Sequence, residues 1–276
     1  MIKHAEVHME KTDRKTRMAA ITSMLVKNPS KSFPLNVFCE MFGAAKSTIS
    51  EDISMIRDTF AAFGQGDLEV AIGATGGVKY IPAVSAEAKE AVLKEVAKKL
   101  SDPSRILPGG YIYTVDIFSD PKYVCAMAEI LAGMFIRTNP DFIVTVETKG
   151  VALAFEVARA LGKPLVIARS DSMITEGSAV TINYMTGISR RIRTMSISRR
   201  ALRSGQKALL IDDFISGGGT LHALCGMMKE LSITVVGCGV AIATRAPERK
   251  RIDTYKALLL VEDVDTADEK ITIRPM

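Results

Sequence analysis

Two adjacent carboxylates, Asp212 and Asp213, stand just ahead of the stretch Ser216, Gly217, Gly218, Gly219, Thr220. The apolar run Ala208, Leu209, Leu210, Ile211 before them has the length and composition of a buried parallel strand, ending in the acidic pair. Thr220 opens a predicted helix. Strand, acids, glycine loop and helix in this order can hold a sugar phosphate. Glycines let the backbone turn tightly and present N–H groups to an anion at a helix N-terminus, where the dipole also favours negative charge. Carboxylates at the carboxyl end of a strand lie where open α/β sheets bind ligands, and they accept hydrogen bonds from sugar hydroxyls.

Other phosphate loops fit poorly. A Walker loop needs a Lys after its last glycine, where this chain has Thr220. A dinucleotide fingerprint places its acidic residue about 20 positions after the glycines rather than before them.

The elements that position these residues are legible around them. A charged, alanine-rich helix is expected over Ser85–Leu100, an apolar helix over Cys125–Phe135 and a strand over Phe142–Val146. A loop Glu147–Gly150, a helix Val151–Leu161 and a strand Pro164–Ala168 then form one βα unit feeding a parallel neighbour. The stretches SAVTINY and RIRTMSI read as a hairpin. After the glycine loop come a helix Thr220–Leu231, a strand Ile233–Ile242 and a last strand in YKALLLVED. In the loop after Val146, Lys149 can point a cation at a diphosphate.

The first 82 residues read differently. Met18, Ile21 and Leu25 mark one face of a helix within residues 13–31, Pro34 opens a short helix through Phe42, and Gly43 closes it as a C′ glycine. Ile49, Ile53, Ile56, Phe60 and Phe63 then fall at spacings of 4, 3, 4 and 3, one apolar stripe of a third helix. Its opposite face carries Lys46, Ser47, Thr48, Ser50, Ser54 and Arg57, the small polar and basic residues of a recognition helix. LEVAIGATGGVKYI reads as two strands with a glycine-rich tip (Gly73, Gly76, Gly77) and Lys79 on the return strand. Three helices and a hairpin make a winged helix-turn-helix. Pro82 marks the boundary between a DNA-binding domain over 1–82 and an α/β domain over 83–276.

Composition sets the frame. The chain of 276 residues is 47% hydrophobic and 24% charged, as a globular protein of two domains is. No apolar stretch reaches about 20 residues, and the N-terminus MIKHAEVHMEKTDRKTR is charged throughout, so a cytoplasmic protein with neither membrane span nor signal peptide is expected. Cys39, Cys125, Cys225 and Cys238 are scattered in apolar contexts and read as reduced thiols. His4, His8 and His222 make no metal-ligand pattern. The net charge is +5, but residues 1–82 carry ten bases against nine acids, which gives a DNA-binding domain little electrostatic pull. Between Gly177 and Ile211 there is no acid, while Arg190, Arg191, Arg193, Arg199, Arg200, Arg203 and Lys207 are present. That block is either a solvated face or a surface for phosphates of a ligand or nucleic acid.

The string IDDFISGGGT resembles the phosphoribosyl pyrophosphate (PRPP) motif of the type I phosphoribosyltransferases. In that motif two acids grip the ribose hydroxyls and the loop wraps the 5′-phosphate. By the same resemblance Thr148, Lys149 and Gly150 form the pyrophosphate loop, and Asp171–Ser196 the flexible loop that closes over the site. One departure is visible: the enzymes' loop usually ends Thr-Gly-Gly-Thr, and Gly217 here removes a hydroxyl that would help bind phosphate. This weakens the enzyme reading more than the binding one.

With KSTISEDI, GGVKYIP, RILPGGYIY, TKG, TEGS and IDDFISGGGT in this order, the chain resembles the bacterial purine operon repressors of the phosphoribosyltransferase type along nearly its whole length. The resemblance implies a homodimer that represses purine biosynthesis and transport genes, uses its second domain to sense and to dimerise rather than to catalyse, and releases double-stranded operator DNA when PRPP binds, together with Mg²⁺. The implied effector residues are Asp212, Asp213, Phe214, Ser216, Gly217, Gly218, Gly219, Thr220, Thr148, Lys149, Gly150 and Tyr111. The expected DNA contacts are Lys46, Ser47, Thr48, Ser50, Arg57 and Lys79, with Arg14, Lys15 and Arg17 as a basic cluster before the first helix. Arg199, Arg200 and Arg203 are a further DNA or phosphate contact. The alternatives are an active purine phosphoribosyltransferase with an accessory N-terminal domain, and a repressor reading a phosphorylated purine nucleotide at the same site.

Overall fold

Asp13 starts the first helix by accepting a hydrogen bond from the Thr16 N–H at 3.0 Å, satisfying one of the free donors of α1 (Arg14–Lys27). A computed structural model describes residues 12–71, 76–170, 177–185 and 192–276. The chain divides into two compact units between Ala83 and Val84.

In the first unit α1 is followed by α2 (Leu35–Phe42), α3 (Lys46–Phe63), β1 (Asp67–Val70) and β2 (Val78–Ile81). Gly43 and Gly64 end α2 and α3 in the left-handed conformation, at φ 58° and 62°. The two strands pair antiparallel from Asp67↔Ile81 to Val70↔Val78. The result is a winged helix whose core holds Ile21, Leu25, Phe38, Ile49, Ile53, Ile56 and Phe60. Phe63 corrects the expected stripe. It is 74% exposed, because α3 ends at Gly64 and its last turn projects past the core.

A second correction concerns charge. Arg17 was expected among the DNA contacts, yet it is buried, donating from Nε to the fully buried Asp52 of α3 and from Nη1 to the Thr12 carbonyl at 3.0 Å. Arg14 Nε reaches the other Asp52 oxygen at 3.0 Å. Both carboxylate oxygens are therefore met by guanidinium donors, the condition under which a buried ion pair is tolerated. The pair fastens α1 to α3 rather than binding phosphate.

In the second unit come α4 (Ala86–Leu100), β3 (Ile106–Leu107), β4 (Tyr111–Ile112), α5 (Val115–Ser119), α6 (Pro121–Phe135), β5 (Phe142–Val146), α7 (Gly150–Leu161) and β6 (Leu165–Ala168). The hairpin β7 (Ala179–Met185) and β8 (Ile192–Ser198) follows, then β9 (Lys207–Ile215), α8 (Gly219–Glu230), β10 (Thr234–Thr244), β11 (Lys256–Asp265) and β12 (Lys270–Pro275). The main sheet has the order β12-β11-β10-β9-β5-β6, parallel except for the edge strand β12. Alternation along β9 builds a core on each face: Leu209 and Ile211 pack with α4, α6 and α7, while Ala208 and Leu210 pack with α8 and the β7–β8 hairpin. β3 and β4, and the edge strand β12, were not anticipated. β9 is longer than expected and carries the acidic pair within it, with Asp212 opposite Val240 and Phe214 opposite Ile242.

Candidate functional site

From the centre of the sheet the chain runs in two directions. β5 crosses over to β6 on one side, and β9 crosses over to β10 on the other. β5 and β9 are parallel neighbours, so the loops after them diverge above a topological switch point, where open α/β sheets bind ligands. The loop after β5 is Glu147, Thr148, Lys149 leading to Gly150 at the start of α7, and the loop after β9 is Ser216, Gly217, Gly218 leading to Gly219 at the start of α8. The two expected phosphate loops therefore flank one crevice.

The fit inside it is close. A Cβ on Gly150 would lie 2.7 Å from both Asp212 Oδ1 and Thr145 Oγ1, so α7 can begin this near to β9 only with glycine. Asp212 is buried and its Oδ1 accepts from the Asp213 N–H at 3.0 Å. Burial first, and then the Asp213 charge, push the Asp212 carboxyl well above its ordinary range. Burial also raises Asp213, while its hydrogen bond with Asp212 and the positive charge of Lys149 pull it back. Two desolvated acids side by side carry a standing cost in the free protein, and hydroxyl donors or cations on a ligand relieve it. Thr145 was missed because it sits in the apolar run FIVTV. Its hydroxyl is buried beneath the same spot, with no hydrogen-bond partner among the described residues.

A cavity of about 270 Å³ joins Tyr111, Lys149, Asp213, Phe214 and Ser216 of the expected site to Thr244. Its apolar wall of Ile112, Val261 and Val264 comes from β4 and β11. Thr148 faces another groove, lined with Phe118 and Val151. Gly217 to Thr220 complete the loop and the first turn of α8, where the His222 N–H makes a helical bond to the Gly218 carbonyl at 3.0 Å. Among the described residues no cluster of three or more His, Cys, Asp or Glu could hold a metal ion.

On the winged helix, Lys46, Ser47, Ser50 and Arg57 are exposed and Thr48 is half-buried, all on α3. Lys15 is exposed on α1, whereas Arg14 is engaged by Glu51 and Asp52. Lys79 pairs with its cross-strand neighbour Glu69 at 2.8 Å, which offsets its charge. Gly73, at the expected wing tip, lies outside the described residues. Arg199, Arg200 and Arg203 are exposed at the end of β8, with the Arg200 guanidinium over Gly177. Arg190 and Arg191 and much of the expected flexible loop lie outside the described residues; its described part is the β7–β8 hairpin, bridged to Arg169 through Ser196. Among the described residues no helix is long and apolar enough to cross a membrane.

Comparison with known proteins agrees with both units. Residues 13–82 match the family described as bacterial purine repressor, N-terminal, and residues 117–272 match the phosphoribosyl transferase domain. The chain is 38% identical to the purine biosynthesis transcriptional repressor PurR of Bacillus subtilis, over 95% of this chain and 92% of that protein. It is 34% identical to the purine biosynthesis transcriptional activator PurR of Lactococcus lactis, over 95% of this chain and 96% of that one. Among solved structures, an adenine phosphoribosyltransferase from Thermoanaerobacter pseudethanolicus superimposes with a TM-score of 0.52 at 20% identity, covering 60% of this chain and 96% of that one, which shows a shared fold.

Proposed function

From the premise that this chain belongs to the PurR family of purine biosynthesis transcriptional regulators, we propose that it binds duplex operator DNA through its winged helix and that PRPP, bound at the second unit, weakens that binding. The observation that carries the reading is the acidic pair and glycine loop at the switch point of the sheet, in a chain that also exposes a polar, basic helix face. The 5′-phosphate meets the N–H groups of Gly217 to Thr220, the ribose hydroxyls donate to Asp212 and Asp213, and Lys149 with the backbone of Gly150 holds the diphosphate, with Mg²⁺ arriving on the ligand; Thr148, turned to the other groove, is left out of the set. The protein acts in the cytoplasm as a homodimer and performs no transfer chemistry. Relatives named as repressor and as activator differ in the sign of the transcriptional output, and this chain is read as a repressor.

The apolar wall beside Asp213 and Phe214 favours a second ligand at the same place, a phosphorylated purine nucleotide whose base would lie on it. Competition between AMP or GMP and PRPP checks this, and pyrophosphate release from PRPP plus a purine base would restore the enzyme alternative.

The DNA arm of the proposal is tested on α3. Thr48→Ala combined with Arg57→Ala is expected to lower operator affinity about 10-fold or more at fixed salt, since one good base contact is worth about 1–3 kcal/mol, while PRPP affinity stays as in the parent. Equal operator affinities would remove this face of α3 from the interface.

A further inference from the structure

After β10 ends at Thr244, the chain passes back over the glycine loop before β11 begins. Three contacts fix it there. The ammonium of Lys250 donates to the Ser216 carbonyl at 2.7 Å, and the Arg251 N–H donates to the Gly217 carbonyl at 3.0 Å. Gly218, at φ +75°, has Ile252 so close that a Cβ would lie 3.2 Å from its Cγ2 and 3.4 Å from the backbone nitrogens of Arg251 and Ile252.

Peptide geometry gives these contacts a consequence. The bonds joining Ser216, Gly217 and Gly218 are not among the cis peptides of the chain. In a trans peptide the C=O of one residue and the N–H of the next point in opposite directions. Drawing the carbonyls of Ser216 and Gly217 toward residues 250 and 251 therefore turns the N–H groups of Gly217 and Gly218 to the opposite side. We propose that Lys250, with the backbone of Arg251, is the positioning device of a phosphomonoester site, holding the glycine loop with its amides presented to the phosphate. The proposal rests on the PRPP reading above and names an element that the motif itself does not contain.

Charge supports the same role. The Lys250 ammonium is half-buried among neutral acceptors: Ser216 O, Thr244 Oγ1 at 3.5 Å and Pro247 O at 3.4 Å. Among the described residues no carboxylate pairs with it, and burial lowers its pKa from the ordinary lysine value. A cation left uncompensated behind an anion-binding loop adds a favourable field for phosphate, beyond the hydrogen bond it makes.

The test uses the full-length protein, with PRPP, ribose 5-phosphate and inorganic pyrophosphate titrated separately by calorimetry in the presence of Mg²⁺. Lys250→Met is expected to weaken PRPP and ribose 5-phosphate about 10- to 100-fold, the scale of one charge-assisted hydrogen bond. Pyrophosphate, held at Lys149, should bind as it does to the parent, which also certifies that the variant is folded. Lys250→Arg should recover most of the loss. Equal ribose 5-phosphate affinity in parent and Lys250→Met, or equal losses for ribose 5-phosphate and pyrophosphate, would overturn the positioning role while leaving the PRPP reading intact. Failure of the parent itself to bind PRPP would overturn both.

Discussion

Replacing the acidic pair with its neutral isosteres, Asp212→Asn and Asp213→Asn, is expected to remove the PRPP response and to raise the melting temperature in the same protein. The loss follows from the charge withdrawn from the hydrogen bonds proposed to the ribose, since an asparagine carbonyl still accepts but without charge, and its amide only donates. A charged partner makes such a bond stronger by about 1–1.5 kcal/mol, so neutralising two lowers affinity about 30- to 100-fold. The gain follows from burial. Asp212 is buried against a second acid, its carboxyl is pushed upward by both, and no cation is among the groups acting on it. A group whose folded pKa lies above its unfolded value binds its proton more tightly in the folded state. Its contribution to stability is present below the unfolded pKa and is lost as pH rises through the raised folded pKa. At neutral pH the pair therefore costs stability that asparagine does not. Single stabilising changes commonly give about 0.5–2 kcal/mol, at roughly 2–4 °C per kcal/mol in a domain of this size. The parent should close part of the gap on acidification, as its carboxyls take up protons, and its PRPP affinity should fall over the same range. A double variant that melts lower than the parent at neutral pH would show that the acids are compensated in the free protein.

Asp52→Ala is expected to produce the largest stability change in the winged helix. Removing one partner of a buried ion pair costs about 3–5 kcal/mol, because the other charge remains buried and unpaired. Here that charge is Arg17, 7% exposed, while Arg14 loses one of its two acids. A small domain has total stability of only about 5–15 kcal/mol, so the first unit should unfold at much lower denaturant concentration and operator binding should fail. PRPP binding, proposed for the second unit, should persist. Arg17→Met with Asp52→Leu serves as the control, since well-packed apolar pairs replace buried ion pairs at little cost. Unchanged denaturation of Asp52→Ala would mean that the pair is solvated rather than buried.

The parts of this molecule that the sequence displayed are those in which function is contiguous. The acids, the glycines and the helix after them occupy a single run, and each residue type there has a backbone or electrostatic reason to be present. The βα order around Phe142–Ala168 was equally plain, because parallel strands buried on both faces read as continuous apolar runs. What escaped was built from distant segments. Residues 250–252 meet the glycine loop only after β10 has returned the chain, and the pocket wall combines Ile112 with Val261 and Val264. Nothing local in either segment announces the meeting.

Arg17 is a different kind of miss, for its signal was present. It stands four residues before Ile21 and eight before Leu25, on the face that α1 buries, just as Asp52 falls inside the apolar stripe of Ile49, Ile53 and Ile56. A charge at a core position implies a partner in the core, and the two opposite charges implied one another. Strand β9 was cut short for the opposite reason. Aspartate is rare in strands, so the acids were taken as its end, whereas the ladder to β10 continues through them to Ile215.

The most direct test of the account is the affinity of PRPP measured with and without saturating operator DNA. A ligand moves an equilibrium only through its different affinities for the two states, and coupling is reciprocal, so what PRPP does to operator binding the operator must do to PRPP binding. Couplings of this kind run about 1–3 kcal/mol, or roughly 5- to 150-fold. The account predicts that saturating operator weakens PRPP binding by a factor in that range, equal to the factor by which PRPP weakens operator binding. The same PRPP affinity in both titrations would contradict it.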